Sequence, residues 1–85
     1  MLGNQYFKDG EPTVALGYYE KSVAGRPNDW ASRHNLGEAY GALGRFEAAV
    51  EQLAIAQSLD PQQPSTRRAL AYYRDQLANH PRFDR

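Results

Sequence analysis

The most constraining feature of this sequence is that it repeats itself with a period of 34 residues. At the same offset Tyr19 matches Leu53, both large, and Ser22 matches Ala56, both small. A third partial copy begins at Leu70. A period of this length indicates stacked helical units, each of which buries its apolar face against the next. Six residues recur unchanged at this spacing: Leu2 as Leu36, Gly3 as Gly37, Tyr6 as Tyr40, Gly10 as Gly44, Ala15 as Ala49 and Pro27 as Pro61.

Glycine and proline punctuate the chain, and the apolar residues between them recur three and four positions apart. Pro12 and Pro64 suit the first turn of a helix, where the missing N–H is tolerated. Asn28 or Asp29 can cap a helix that begins near Trp30. The sequence shows no alternating apolar run of the kind that predicts a strand. It therefore predicts an all-α chain with helices near 2–9, 12–25, 29–43, 46–59 and 64–79.

The glycines inside the predicted helices indicate close helix packing. A glycine in a helix is about 0.5–1 kcal/mol less favourable than an alanine, so its recurrence at Gly3 and Gly37 needs a packing reason. We expect each of these glycines to lie against a second helix, with Ala15 and Ala49 as the small residues opposite. The predicted core consists of the repeated positions: Leu2, Gly3, Tyr6, Ala15, Tyr19, Leu36, Gly37, Tyr40, Ala49, Leu53, Ala56 and Pro61.

Composition narrows the class of partner. Ten basic and ten acidic residues give a formal charge of zero, whereas binding to phosphate backbones draws on a basic excess. No apolar run approaches the roughly 20 residues that span a bilayer, and no secretory signal is recognisable. Without cysteine, and with only His34 and His80 far apart, the sequence predicts no metal site and no cofactor. It does not determine a compartment, and the cytoplasm is the default expectation.

The segment Leu36-Gly37-x-x-Tyr40, followed by Gly44, Ala49, Leu53, Ala56 and Pro61, resembles the tetratricopeptide repeat, whose pattern is W-x-x-L-G-x-x-Y…A-x-x-x-F…P. Arg33 replaces the tryptophan, Pro12 replaces an aromatic residue that Phe46 supplies in the next copy, and Arg74 replaces the tyrosine of a third copy. The resemblance implies one α-solenoid domain over 1–85. It comprises an incomplete repeat at 1–29, a full repeat at 30–63, a capping helix at 64–79 and a tail at 80–85.

The resemblance also implies a binding groove, because in this family the first helix of each unit lines a concave surface that takes an extended peptide or a partner helix. A protein or peptide partner is therefore expected, and neither nucleic acid nor a membrane. Gly41 lines the expected groove as a position without a side chain. The other expected groove residues are Asn4, Phe7 and Lys8, then His34, Asn35 and Glu38, and on the last helix Arg68, Tyr72 and Asp75.

Three alternatives were weighed against this interpretation. Family members that clamp acidic chaperone tails use two asparagines, matched by Asn4 and Asn35, but they also use basic residues where this chain has Ser65 and Ala69. Weak self-association through the terminal helices is the second alternative, because a short stack exposes apolar ends. An enzyme is the least favoured, since the sequence contains neither a GxSxG motif nor a phosphate-binding loop.

Overall fold

The computed structural model describes residues 12–79, and these residues form four helices joined by short turns without any strand among them. The predicted helix near 2–9 and the tail at 80–85 lie outside this range. None of the described helices is both long and apolar enough to cross a bilayer. The helices are α1 at Pro12–Gly25, α2 at Trp30–Ala42, α3 at Phe46–Leu59 and α4 at Pro64–Asn79.

The predicted bounds are confirmed for α1, α3 and α4, and for α2 they differ by one residue at each end. Asp29 is the N-cap of α2, and its carboxylate accepts hydrogen bonds from the backbone N–H of Ser32 at 3.0 Å and the Ser32 hydroxyl at 2.8 Å. Leu43 is the C-cap. Gly44 then turns the chain into α3 with a φ of 78°, a conformation that glycine adopts without strain.

Each helix packs against the next one along the chain, and α2 also contacts α4. Tyr40 is half-buried and belongs to both core clusters, so its ring joins them. The described helices therefore share a continuous core, as expected for an all-α solenoid. One cluster contains Ala15, Tyr19, Leu36 and Ala39, and the other contains Ala49, Leu53, Leu70 and Tyr73.

Gly37 lies at a close contact between α2 and α3. A Cβ atom on this glycine would stand 2.7 Å from Cγ of Leu53 and 3.2 Å from the carbonyl oxygen of Ala49. Leu53 and Ala49 are fully buried, so neither can move away into solvent. This is the close helix contact that the repeated glycine predicts.

The expected core residue Pro61 is exposed, and this expectation is corrected. Pro61 lies in the turn between α3 and α4, where it punctuates the chain and is not packed between helices. Leu2, Gly3 and Tyr6 lie outside the described residues. The other eight positions are buried except for Tyr40, which is half-buried.

Two arginines replace the family's tryptophan, and both fasten a turn to the helix that follows it. Arg33 donates from Nε to the carbonyl oxygen of Pro27 at 2.9 Å and from Nη1 to Oε1 of Gln52 at 2.9 Å. One repeat later, Arg67 donates from Nη1 to the carbonyl oxygen of Pro61 at 3.1 Å. Polar contacts thus occupy the position where the family pattern has an indole ring.

Candidate functional site

A cavity of about 390 Å³ opens between α2 and α4 and is the candidate binding site. Glu38 comes from α2, and all the other lining residues lie on α4. These two helices occupy equivalent positions in successive repeats, because the pattern that begins at Leu36 begins again at Leu70. The lining residues are Glu38, Ser65, Arg68, Ala69, Tyr72 and Tyr73.

A chain of hydrogen bonds connects α2 and α4 beside this cavity. The indole N–H of Trp30 donates to the hydroxyl oxygen of Thr66 at 2.6 Å, and that oxygen lies 3.0 Å from Nδ1 of His34. Because the indole N–H can only donate, the Thr66 hydroxyl accepts from it and can donate its own proton to Nδ1 of His34. A neutral His34 then carries its proton on Nε2, which lies 3.5 Å from Oε2 of Glu38. The fully buried Thr66 is therefore a polar link between the helices.

Glu38 is the last group in this series of hydrogen bonds, and its carboxylate faces two donors. His34 faces one of its oxygens, and the hydroxyl of Tyr73 donates to the other, Oε1, at 3.1 Å. The hydrogen bond from His34 lowers the pKa of Glu38, partial burial opposes that effect, and the bond from Tyr73 lowers the pKa further. Glu38 therefore carries its negative charge at neutral pH, at one wall of the cavity.

Tyr73 is fixed by contacts on several sides. Its ring stacks on Phe46 with centroids 5.9 Å apart, and Tyr72 meets it edge-on at 5.0 Å. Burial, together with the charge of Glu38, raises the pKa of Tyr73 well above its usual range. The ring also lies directly against Gly41, where a Cβ atom would collide with it. The expectation that Gly41 lines the groove is therefore wrong, because the glycine is buried beneath Tyr73.

The predicted groove residues fall into three groups. His34 and Glu38 contact each other on α2, while Arg68 and Tyr72 line the cavity from α4. Asn35 and Asp75 lie on the same two helices but do not line the cavity. Their role in binding stays a prediction. The remaining predicted groove residues, Asn4, Phe7 and Lys8, lie outside the described part of the chain.

Sequence reasoning missed the roles of Trp30, Thr66 and Tyr73 at this site. The repeat register held a signal for two of them. Thr66 follows Ser32 by one period, and both are buried hydroxyl residues. Tyr73 follows Ala39 by one period, so a large ring stands where the preceding repeat has a methyl group. Trp30 has no such signal, because its equivalent position is Pro64.

The site offers hydrogen-bond and charge recognition rather than metal binding. Within residues 12–79 no group of three or more histidine, aspartate or glutamate side chains is placed to hold a metal ion. The cavity instead combines one carboxylate, one guanidinium group and two phenol rings. Such groups can hold a peptide by charge, hydrogen bonds and ring contacts.

Comparison with known proteins gives concordant results for sequence and structure. Residues 6–72 match the tetratricopeptide repeat family. Over 50 residues, 59% of this chain, the sequence is 36% identical to two Hsp70-Hsp90 organising proteins of Plasmodium falciparum, one of them from isolate 3D7. The solved structures "MamA MSR-1 C2" and "MamA AMB-1 C2221" superpose with a TM-score of 0.82 over 93% of this chain, at 32% and 30% identity.

These relatives are longer than this chain. The matched region covers 20% and 9% of the two organising proteins, and 45% and 46% of the two solved structures. The family match nevertheless spans most of the chain, and the solved structures share its helical arrangement. Tetratricopeptide repeats generally mediate interactions between proteins. The family match, the 34-residue register and the stacked helices together show that this chain belongs to the tetratricopeptide repeat family.

Proposed function

We propose that this chain is a protein-interaction module that binds an extended peptide or a partner helix on the face formed by α2 and α4. The observation that carries the proposal is the cavity between these helices, with the Tyr72 ring 58% exposed at its wall. Tyrosine and arginine are among the residue types that contribute most to binding at protein interfaces. Catalysis is not part of the proposed function.

Polar groups around the cavity support peptide recognition. The side chains of Asn35, Arg68 and Asp75 make no hydrogen bond or ion pair with any described residue. The amide of Asn35 has both donors and an acceptor, which suits a peptide backbone. Because the face carries charges of both signs, binding should depend only weakly on salt, unlike the binding of a polyanion.

The names of the organising proteins raise the question of whether chaperone tails are the partner. Ser65 and Ala69 line the cavity at the positions where the clamp-forming members of the family have basic residues. The negative charge of Glu38 in the same cavity opposes a partner carboxylate. These two features favour a partner other than an acidic tail.

A capture experiment with two matched baits tests the proposed face. The double variant Asn35→Ala with Tyr72→Ala should lose partners that the wild-type chain retains. A control double variant on α3, Glu51→Ala with Ser58→Ala, changes exposed residues outside the α2–α4 face and should retain them. A retained partner is then confirmed by NMR shifts in α2 and α4. Loss of partners with the α3 control but not with the groove variant would contradict the proposal.

Self-association through α1 is a second candidate, favoured by an apolar patch on that helix. Val14 and Tyr18 are both exposed, and with Gly17 and Lys21 they line a shallow cavity of about 270 Å³. Contact with a second copy would remove this surface from water. Sedimentation velocity should then show weak, concentration-dependent association that Tyr18→Lys reduces. A chain that stays monomeric at millimolar concentration would rule this candidate out.

A further inference from the structure

The cavity between α2 and α4 has an anionic wall with unused acceptor capacity. Within residues 12–79 each oxygen of Glu38 has one partner, Tyr73 for Oε1 and His34 for Oε2. A carboxylate offers about four acceptor positions, and the Glu38 side chain is 36% exposed. The carboxylate can therefore accept further hydrogen bonds from a ligand without losing its present ones.

Aromatic rings stand beside this carboxylate and are held in place. Tyr72 is largely exposed, and its edge-on contact with Tyr73 at 77° limits how far its ring can turn. Tyr73 is in turn held by Phe46 and by its hydrogen bond to Glu38. A cation near a tyrosine ring is attracted by the negative face of the ring, and a neighbouring carboxylate adds to that attraction.

Arg68 does not turn the cavity into a carboxylate site. Its guanidinium group is exposed and makes no ion pair or hydrogen bond with any described residue. An exposed arginine can move aside, whereas Glu38 is held by two neighbours. Among the described residues no second basic side chain lines the cavity, because the adjacent lining positions are Ser65 and Ala69. Arg68 is therefore available to a carbonyl or an acidic group elsewhere along the partner.

We propose that this cavity takes a lysine or arginine side chain of an extended partner peptide, whose charged end contacts Glu38 and whose stem lies along Tyr72. This assignment rests on the groove-binding function proposed above and adds the chemistry of one partner residue. Its basis is charge complementarity with Glu38, the exposed ring and the absence of a second cation among the lining residues that the structure describes. A basic partner residue is the opposite preference to that of an acidic-tail clamp.

Labelled peptide pools with one fixed central residue test this assignment. The flanking positions are randomised, the termini are blocked, and the central residue is lysine, arginine, norleucine, glutamine or glutamate. Fluorescence anisotropy gives the affinity of each pool for the wild-type chain, Glu38→Gln, Tyr72→Leu and the control Glu51→Gln. The glutamine at position 38 keeps an oxygen for Tyr73, and circular dichroism verifies that each variant is folded. Glu51→Gln makes the same charge change at an exposed site on α3.

The lysine and arginine pools should bind the wild-type chain about tenfold more tightly than the glutamate pool. Glu38→Gln should reduce that preference to about twofold or less, while Glu51→Gln should preserve it. In one outcome the pools bind and Tyr72→Leu weakens their binding, but the lysine pool has no advantage over the glutamate pool. The basic-residue assignment is then wrong, while the proposed groove binding stands. If no pool binds, or if binding is unaffected by Tyr72→Leu, both the assignment and the proposed binding face are wrong.

Discussion

Substituting alanine for Gly37 and for Gly17, one at a time, should change the stability of this chain in opposite directions. Gly37 on α2 and Gly17 on α1 both lie inside helices, so the alanine gains the same helix propensity at either site, about 0.5–1 kcal/mol. Only the surroundings differ. At Gly17 a new Cβ atom would meet no atom of residues 12–79 within 4 Å, whereas at Gly37 it would stand 2.7 Å from Cγ of Leu53.

The contact at Gly37 outweighs the gain in propensity. Cγ is the branch point of a fully buried leucine, and the Ala49 carbonyl oxygen at 3.2 Å belongs to the backbone of α3. Relieving the contact requires α2 and α3 to separate, and overpacking of this kind costs about 1–3 kcal/mol. The net change for Gly37→Ala is then a loss of about 1 kcal/mol. Gly37→Leu adds a branched side chain at the same place and should destabilise the chain severely.

Thermal unfolding followed by circular dichroism measures both effects on one scale. A change of 1 kcal/mol shifts Tm by about 4–8 °C in a domain of this size. Gly37→Ala should therefore lower Tm by about that amount, and Gly17→Ala should raise it by a few degrees. Equal shifts for the two alanine variants would refute this reasoning, as would a Tm for Gly37→Leu within a degree or two of wild type.

Substitutions at three further positions test other contacts. Gly41→Ala should lower Tm and displace the Tyr73 ring. NMR should then show that the ring has lost its contacts with Glu38, and an unchanged ring environment would contradict this prediction. The Tyr73→Phe variant should lose less stability than wild type as the pH rises above about 10. The raised pKa of Tyr73 in the folded state stabilises the wild-type chain fully below the pKa of the unfolded state, and that contribution is lost as the pH rises from there through the folded pKa. Equal losses of stability for the wild-type chain and Tyr73→Phe at alkaline pH would count against this prediction. Asp29→Ala should lower Tm more than Asp29→Asn, since asparagine can still accept from the N–H of Ser32. Because hydrogen bonds from Ser32 lower the pKa of Asp29, the wild-type advantage over Asp29→Ala should fade as pH drops below the usual aspartate range. Equal melting of the two variants at neutral pH would show that the cap contributes nothing.

Part of the candidate site was predictable because it follows the repeat register. The register places His34 and Glu38 on α2, and Arg68 and Tyr72 on α4, and the structure brings them around one cavity or into direct contact. Their roles in binding remain predictions. The position of Gly41 was not predictable in this way. The change from Ala39 to Tyr73 at matching positions signals an additional ring, but it does not tell which residue of α2 that ring covers.

The helices of residues 12–79 and their order follow from signals along the chain. Helix ends depend on neighbours within a few residues: a proline in a first turn, Asp29 capping the N–H of Ser32, and Gly44 with its positive φ. The period of 34 residues likewise specifies that each unit packs on the next. These features are local or repeated, so they can be read directly from the order of residues.

Tertiary structure alone decided which side chains meet across the helices. Trp30 and Thr66 are 36 residues apart, and their hydrogen bond depends on how α2 and α4 are rotated and spaced. The same holds for Tyr73, which reaches Glu38 only because Gly41 leaves room for its ring. A one-dimensional pattern specifies the buried face of a helix to within a broad stripe. A hydrogen bond requires atoms placed to within a few tenths of an ångström, and only the packed core provides that precision.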